Sequence, residues 1–281
     1  MQITELSNFI GLGVAGNFAG HLEQAGEAAD FVAVKVADKV APKALFPFYV
    51  PGHPGQLGVF PLSGEAILLP EAAVSGDEKV QIEPEVALWC ELEYAGEQVV
   101  AIHPKAFGAY NDCSIRRPNA RKISEKKNWG EESKGLAATL LPLNHFAPGC
   151  ELDDYRIACY LERDGELHPY GVDSAAVDYS YFHQQLLDWA IDKFNHQQDE
   201  GPAEHIQGLL AQAGRPAHAL ISIGATRYTP FGETHFLAPG DTACVVVYPA
   251  SRYGEADIRE AIRSRTFGPD VSALLQAVRV R

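Results

Sequence analysis

The sequence predicts a β-rich α+β fold with a mixed sheet and its helices gathered late in the chain. Three observations carry this. Short β-branched and aromatic runs fill the first 160 residues. An Asp164-Gly165 turn joins two extended runs. The one strongly helical pattern comes only after residue 176, so strand and crossover helix do not alternate as in a doubly wound sheet.

The strands come first. Residues 31–36 (FVAVKV), 66–70 (AILLP), 86–94 (VALWCELEY) and 98–104 (QVVAIHP) read as strands, and 155–171 as a hairpin. In 177–194, Tyr179, Phe182, Leu186 and Trp189 recur at three- and four-residue steps, predicting a helix. A second helix over 202–214 stops at Gly214. ALISIG and TACVVVYP read as buried strands, and the chain from about Glu255 as helical. This divides the sequence into a β-rich N-terminal segment, 1–75, a central domain, 76–250, and a helical tail, 251–281.

Composition excludes several classes. An apolar fraction of 46% and a charged fraction of 21% are ordinary for a globular chain. No run of about 18 apolar residues is present, so no membrane span is expected. The N-terminus lacks a basic start and an apolar core, so no signal peptide is expected. Five cysteines without a C-x-x-C pair suit a reduced cytoplasm and argue against a disulfide framework. A net charge of −14 argues against nucleic-acid binding. Residues 116–127 oppose that trend, with six cations against Glu125. They read either as a solvated loop or as a patch that attracts a small carboxylate or phosphate.

Gly11, Gly13 and Gly16 spell G-x-G-x-x-G, the pattern of a dinucleotide-binding loop. That motif needs a preceding strand and an acidic residue ending the next strand. Only NFI precedes Gly11, and Asp30 stands before FVAVKV. A dinucleotide oxidoreductase is therefore the third-ranked reading, and the glycines are expected to let the backbone turn sharply beside His21.

Glu83 and Glu85 lie two apart in an extended run and point to one face, where like charges repel unless a cation intervenes. With Asp112 as a third oxygen ligand they would suit Mg²⁺ or Mn²⁺, with Ca²⁺ the further alternative. Spacing alone favours two exposed glutamates on an edge strand.

Six short patterns occur in order: Asn17-Phe18-x-x-His21, Glu83-Pro84-Glu85, Asn111-Asp112-x-Ser114-x-Arg116, Lys134-Gly135-Leu136, Gly224-Ala225-Thr226 and Pro239-Gly240-Asp241. Together they resemble the fumarylacetoacetate hydrolase superfamily, as a divergent member, from about residue 10 to 248. The resemblance raises the metal reading above the edge-strand one. It implies Glu83, Glu85 and Asp112 as ligands of a divalent cation, and His21, on a lid-like segment, as the water-activating base. It implies Lys134 near the metal and a substrate oxygen, with Arg116, Thr226 and, less closely matched, Lys35 contacting substrate. The family acts on small 2-oxo or β-dicarbonyl acids by C–C hydrolysis or decarboxylation through a metal-stabilised enolate. A cytoplasmic homodimer is implied too.

Three positions depart from the family pattern. Gln24 stands where members often carry a glutamate, Ala137 where they carry an aspartate, and Phe18 lacks the usual hydroxyl. The rival reading is therefore a relative that binds metal and ligand without turnover.

Overall fold

The longest strands are β6 (Pro84–Ala95) and β7 (Gln98–Asn111), a hairpin closed at Gly96, whose φ of 63° only glycine adopts freely. This computed structural model describes residues 8–26, 40–117 and 120–280. Before the hairpin come β1 (Ile10–Ala15), β2 (Ala44–Tyr49), β3 (Leu62–Ser63), β4 (Ala66–Leu69) and β5 (Val80–Gln81). After it come β8 (Ser114–Ile115), β9 (Lys134–Leu136), β10 (Leu141–Pro142), β11 (Tyr155–Arg163) and β12 (Glu166–Ala175). The last strands are β13 (His218–Ser222), β14 (Thr242–Pro249) and β15 (Ser272–Val280). Helices α1 (His21–Gln24) and α2 (Glu71–Val74) are single turns, followed by α3 (His183–His196), α4 (Ile206–Gln212), α5 (Pro230–Thr234) and α6 (Glu255–Ser264).

Among the described residues the main sheet runs β2-β1-β13-β6-β7-β9-β3, with β10 also on β7, and a second sheet runs β12-β11-β14-β15-β4. Both are mixed: β1 with β13, β3 with β9 and β15 with β4 are parallel, the remaining pairs antiparallel. The sheets pack through β6 and β7 against β11, β14 and β15. The fold is the strand-rich α+β class that the sequence predicts.

Strand alternation explains the continuous apolar runs. In β14, Ala243, Val245 and Val247 face the core between the sheets, while Cys244, Val246 and Tyr248 face Ile258 and Ile262 of α6. A strand covered on both faces needs no polar alternation. The expected hairpin forms as β11 and β12, turning at Asp164 (φ 52°) and Gly165 (φ 80°). The expected helix over 177–194 starts later, at His183: Tyr179 packs ahead of it and Phe182 is its N-cap. FVAVKV lies outside the described residues.

Two expectations are corrected. The region after 250 contains α6 and then β15, not helix throughout. Leu274, Gln276 and Val278 are buried and alternate with half-buried neighbours, so tertiary pairing overrides the helix propensity of Ala, Leu and Gln. The three sequence segments also share sheets, since β1 and β2 join β13 and β6, and β4 pairs with β15.

The glycines of residues 11–16 are corrected as well. Gly11 and Gly13 lie inside β1, and a Cβ at either would collide with the Phe48 or Phe46 ring of the neighbouring β2. They make room for cross-strand aromatics. Only Gly16 (φ 74°) turns the chain toward α1. No phosphate cradle is formed there, which removes the sequence basis of the dinucleotide reading.

Beyond Gly16, Asn17 is fully buried and ties this turn to two distant loops. Its Nδ2 donates to the carbonyls of Tyr181 (2.9 Å) and Ile223 (2.9 Å), and its Oδ1 accepts from Tyr181 N–H (2.8 Å). Asn17→Ala strands three backbone groups, the buried Ile223 carbonyl and the part-buried N–H and carbonyl of Tyr181, and is expected to lower stability by about 2–4 kcal/mol in urea unfolding; a loss below about 1 kcal/mol would contradict this account.

Glu204, in the loop before α4, is pushed up to about 7 by burial, against Ser124 and Lys122. The folded chain therefore keeps a proton there that the unfolded chain releases above its ordinary value of 4.5. Stability is lost as pH rises from that value to 7. Glu204→Gln is expected to raise Tm at pH 8, by at most about 3 kcal/mol of stability, with the gain vanishing near pH 4. Parallel melts of both proteins at these pH values check it.

Candidate metal and active site

The site is built where β6 begins and β7 ends. Glu83 N–H donates to Asn111 Oδ1 (3.1 Å), and Asp112 N–H donates to the Glu83 carbonyl (2.9 Å), so the two acidic residues are backbone-paired. Glu85, one step into β6, accepts from Gly224 N–H at 2.8 Å. Glu83, Glu85 and Asp112 are all buried, and one carboxylate oxygen from each lies within 4.8 Å of the others. They are buried, not exposed on an edge strand, so the spacing-only reading fails.

Four cationic or titratable side chains surround them. Arg116 Nη1 lies 2.8 Å from Glu83 Oε1 and is held by Gln81 and the Tyr228 hydroxyl. Lys134, fully buried, donates to the carbonyls of Asp112 (2.9 Å) and Cys113, and lies 3.2 Å from Asp112 Oδ1. Lys127 Nζ lies 2.6 Å from Glu83 Oε2, 2.6 Å from Asp112 Oδ2 and 2.6 Å from Ser114 Oγ. His21, at the start of α1, donates from Nδ1 to the Thr226 carbonyl at 2.9 Å, which leaves Nε2 as the basic nitrogen of the neutral ring.

The electrostatics separate the three acids. Burial pushes Glu83 up, but Lys127, Arg116 and His21 outweigh it and hold Glu83 well below the usual carboxylate range. Burial, then the Asp112 and Glu83 charges, hold Glu85 well above that range. Asp112 is raised by burial and opposed by Lys127 and Lys134. Lys134 is lowered by burial, against the pull of Asp112.

A cavity of about 20 Å³ opens among His21, Phe46, Glu83, Glu85, Asp112 and Lys127. That is room for one water-sized group. An all-oxygen donor set around such a space fits a hard divalent ion. Both Asp112 oxygens and Glu83 Oε1 are also buried without a well-aligned hydrogen bond, their contacts being ion pairs. By donor type and spacing the three residues could hold a divalent ion.

The structure brings His21, Glu83, Glu85, Asp112, Arg116 and Lys134 together. Arg116 lies against Glu83 and the Tyr228 hydroxyl. Thr226 is fully buried: its carbonyl orients His21, and its hydroxyl has no hydrogen-bond partner. Lys35 lies outside the described residues. The basic segment is partly folded inward, with Arg121 left exposed. Lys126 and Lys127 are buried, Lys122 binds Asp199 and two carbonyls, and Arg117 binds Glu78.

Sequence reasoning missed Lys127, one of six cations in its segment, and Gln276. Gln276 Oε1 accepts from Asn111 Nδ2 at 3.0 Å, and Asn111 in turn holds the Glu83 N–H. Gln24 also has an unforeseen role. It bonds the Tyr228 N–H (2.9 Å) and carbonyl (3.2 Å) and reaches Glu233 at 2.5 Å, clamping α1 in place.

Solved structures share this fold at low identity. Cg1458 with an inhibitor aligns at a TM-score of 0.56 and 15% identity, over 97% of this chain and 77% of that one. The 2-keto-3-deoxy-D-arabinonate dehydratase complexed with magnesium and 2,5-dioxopentanoate aligns at 0.51 and 14%, over 98% and 73%. Yeast ynq8, a fumarylacetoacetate hydrolase family protein, aligns at 0.50 and 13%, over 98% and 94%. No curated protein matches the sequence. The chain has the fold of fumarylacetoacetate hydrolase family proteins and belongs to the family of unknown function DUF5718, whose model matches residues 27–278.

Proposed function

We propose that the chain is a divalent-metal-dependent enzyme of the fumarylacetoacetate hydrolase superfamily, cleaving or decarboxylating a small 2-oxo or β-dicarbonyl acid. The observation that carries it is the convergence of buried Glu83, Glu85 and Asp112 beneath His21. Glu83, Glu85 and Asp112 would hold Mg²⁺ or Mn²⁺, which when bound supplies Lewis-acid charge for the oxygens of a dicarbonyl substrate. The chain's own contribution is the base. With Nδ1–H fixed on the Thr226 carbonyl, His21 Nε2 can take a proton from water or a carbon acid. Arg116 fixes the Glu83 carboxylate, and Lys134 anchors the Asp112–Cys113 turn. The same reading makes the protein a cytoplasmic homodimer.

A second reading, a relative that binds metal and ligand without turnover, is favoured by Gln24, which is engaged with Tyr228 where relatives carry an acid. Metal-stripped protein assayed on a panel of 2-oxo acids, with Mg²⁺ or Mn²⁺ restored, separates the two. Metal-dependent turnover supports the enzyme. Ligand-induced stabilisation alone supports the relative, and neither response overturns both.

The three acids are expected to respond differently to neutralisation. Glu85→Gln keeps its acceptor for Gly224 and removes a carboxylate already poised to be neutral, so metal-free Tm should stay within a few degrees. It should, however, remove metal-induced stabilisation, about 2.7 kcal/mol at 100 times the dissociation constant, and at least about 100-fold of any turnover. Asp112→Asn leaves Lys127 and Lys134 short of a counter-charge and should destabilise the metal-free fold by about 3 kcal/mol. Equal metal-free stability of the two variants in thermal melts would contradict this.

A further inference from the structure

The cation nearest two of the three acids belongs to the chain itself. Lys127 closes the 3₁₀ turn Ile123–Lys126 and is 3% exposed. Its three ammonium hydrogens have three oxygen partners at 2.6 Å: Glu83 Oε2, Asp112 Oδ2 and Ser114 Oγ. Ser114 Oγ donates to the Asp112 carbonyl (2.9 Å), so it presents its lone pairs to the lysine. The Phe46 ring lies 5.1 Å from Nζ. This is a complete ammonium site.

Two of those three partners are the acids that also form the metal site. Glu83 and Asp112 already face Arg116, Lys127 and Lys134, while Glu85 is held toward its neutral form. The cavity beside them has room for one water-sized group. A divalent ion bound by these oxygens would share them with an ammonium at contact distance, inside a site that water does not screen. Lys127, in contact with two of the three acids at once, is the cation most directly in competition with such an ion. Lys134 is fixed by two carbonyls as well as Asp112, and Arg116 by Gln81 and Tyr228. The oxygens that Lys127 contacts at 2.6 Å all belong to side chains, and its main chain is anchored through Asn128, bonded to the Phe48 and Val59 carbonyls.

We propose that Lys127 is the resident counter-cation of the carboxylate cluster, and that a divalent ion enters only by displacing it. Lys127 thereby sets metal affinity as an intramolecular competitor. The inference rests on the metal reading above and deepens it.

Mn²⁺ titration of the EDTA-stripped protein, read by the electron paramagnetic resonance signal of free Mn²⁺, tests it at one fixed pH. Lys127→Met, which keeps the aliphatic stem, is expected to bind Mn²⁺ at least 10-fold more tightly than the natural chain. Equal or weaker binding by the variant overturns the competition while leaving the metal site standing. Absence of binding in both proteins overturns the metal reading itself.

Reductive methylation of the natural chain, read by peptide mass spectrometry, needs no variant. Lys127 is expected to be protected without metal and labelled at least about fivefold faster with saturating Mg²⁺, while Lys134 stays unchanged. Continued protection of Lys127 under Mg²⁺ overturns the displacement.

Discussion

Three carboxylates buried side by side constrain everything around them. Moving one carboxylate out of water costs several kcal/mol, and two in contact repel. An opposite charge about 4 Å away returns roughly 4 kcal/mol at an effective dielectric near 20. Such a cluster therefore persists only when cations, or a retained proton, neutralise it with defined geometry. Here they come from separate stretches of chain: Arg116 after β8, Lys127 after a 3₁₀ turn, and Lys134 at the start of β9. The connection from β7 to β9 is consequently fixed at three points by charge. That is why Arg116 and Lys127, from a segment dense in Lys and Arg, turn inward while Arg121 stays exposed.

The same constraint gives the last strand its role. Gln276 of β15 donates to the carbonyls of Ser63 (3.2 Å) and Ala66 (3.1 Å) and accepts from Asn111, which positions the Glu83 backbone. Ser272, on the same strand, accepts from Ala109 N–H and donates to the Thr139 carbonyl. A polar group buried between sheets must be satisfied, and these two residues satisfy it at the places where β7 approaches the site. The segment with no counterpart in the family patterns thus orients the residues that match them.

How much of this was legible in the sequence follows from the range of each interaction. The hairpin of β11 and β12 is local, and Asp164-Gly165 announces it. Glu83, Glu85 and Asp112 were legible because they recur within recognisable patterns, although only the fold shows them buried together. Lys127 was not legible: six cations share its segment, and which one turns inward depends on where Glu83 and Asp112 lie, decided by strand pairing far away in sequence. β15 failed for a related reason. Ala, Leu and Gln favour helix locally, and only pairing with β14 and β4 makes the region a strand. The glycines of β1 misled because their cause, the rings of Phe46 and Phe48, stands more than 30 residues away.

Tyr228 connects the lid turn to the acids. Its backbone N–H and carbonyl bind Gln24, its ring lies 5.3 Å from that of His21, and its hydroxyl accepts from Arg116 while donating to the Ile82 carbonyl. Arg116 in turn holds Glu83. Both the position of the base and the orientation of one acid therefore depend on a single residue. A glutamate at position 24 would keep the acceptor for Tyr228 N–H but lose the donor to its carbonyl, and would place its charge against Glu233. The glutamine is thus a structural consequence of Glu233 and of the Tyr228 loop, which ties this departure from the family pattern to the way α1 is held over the site.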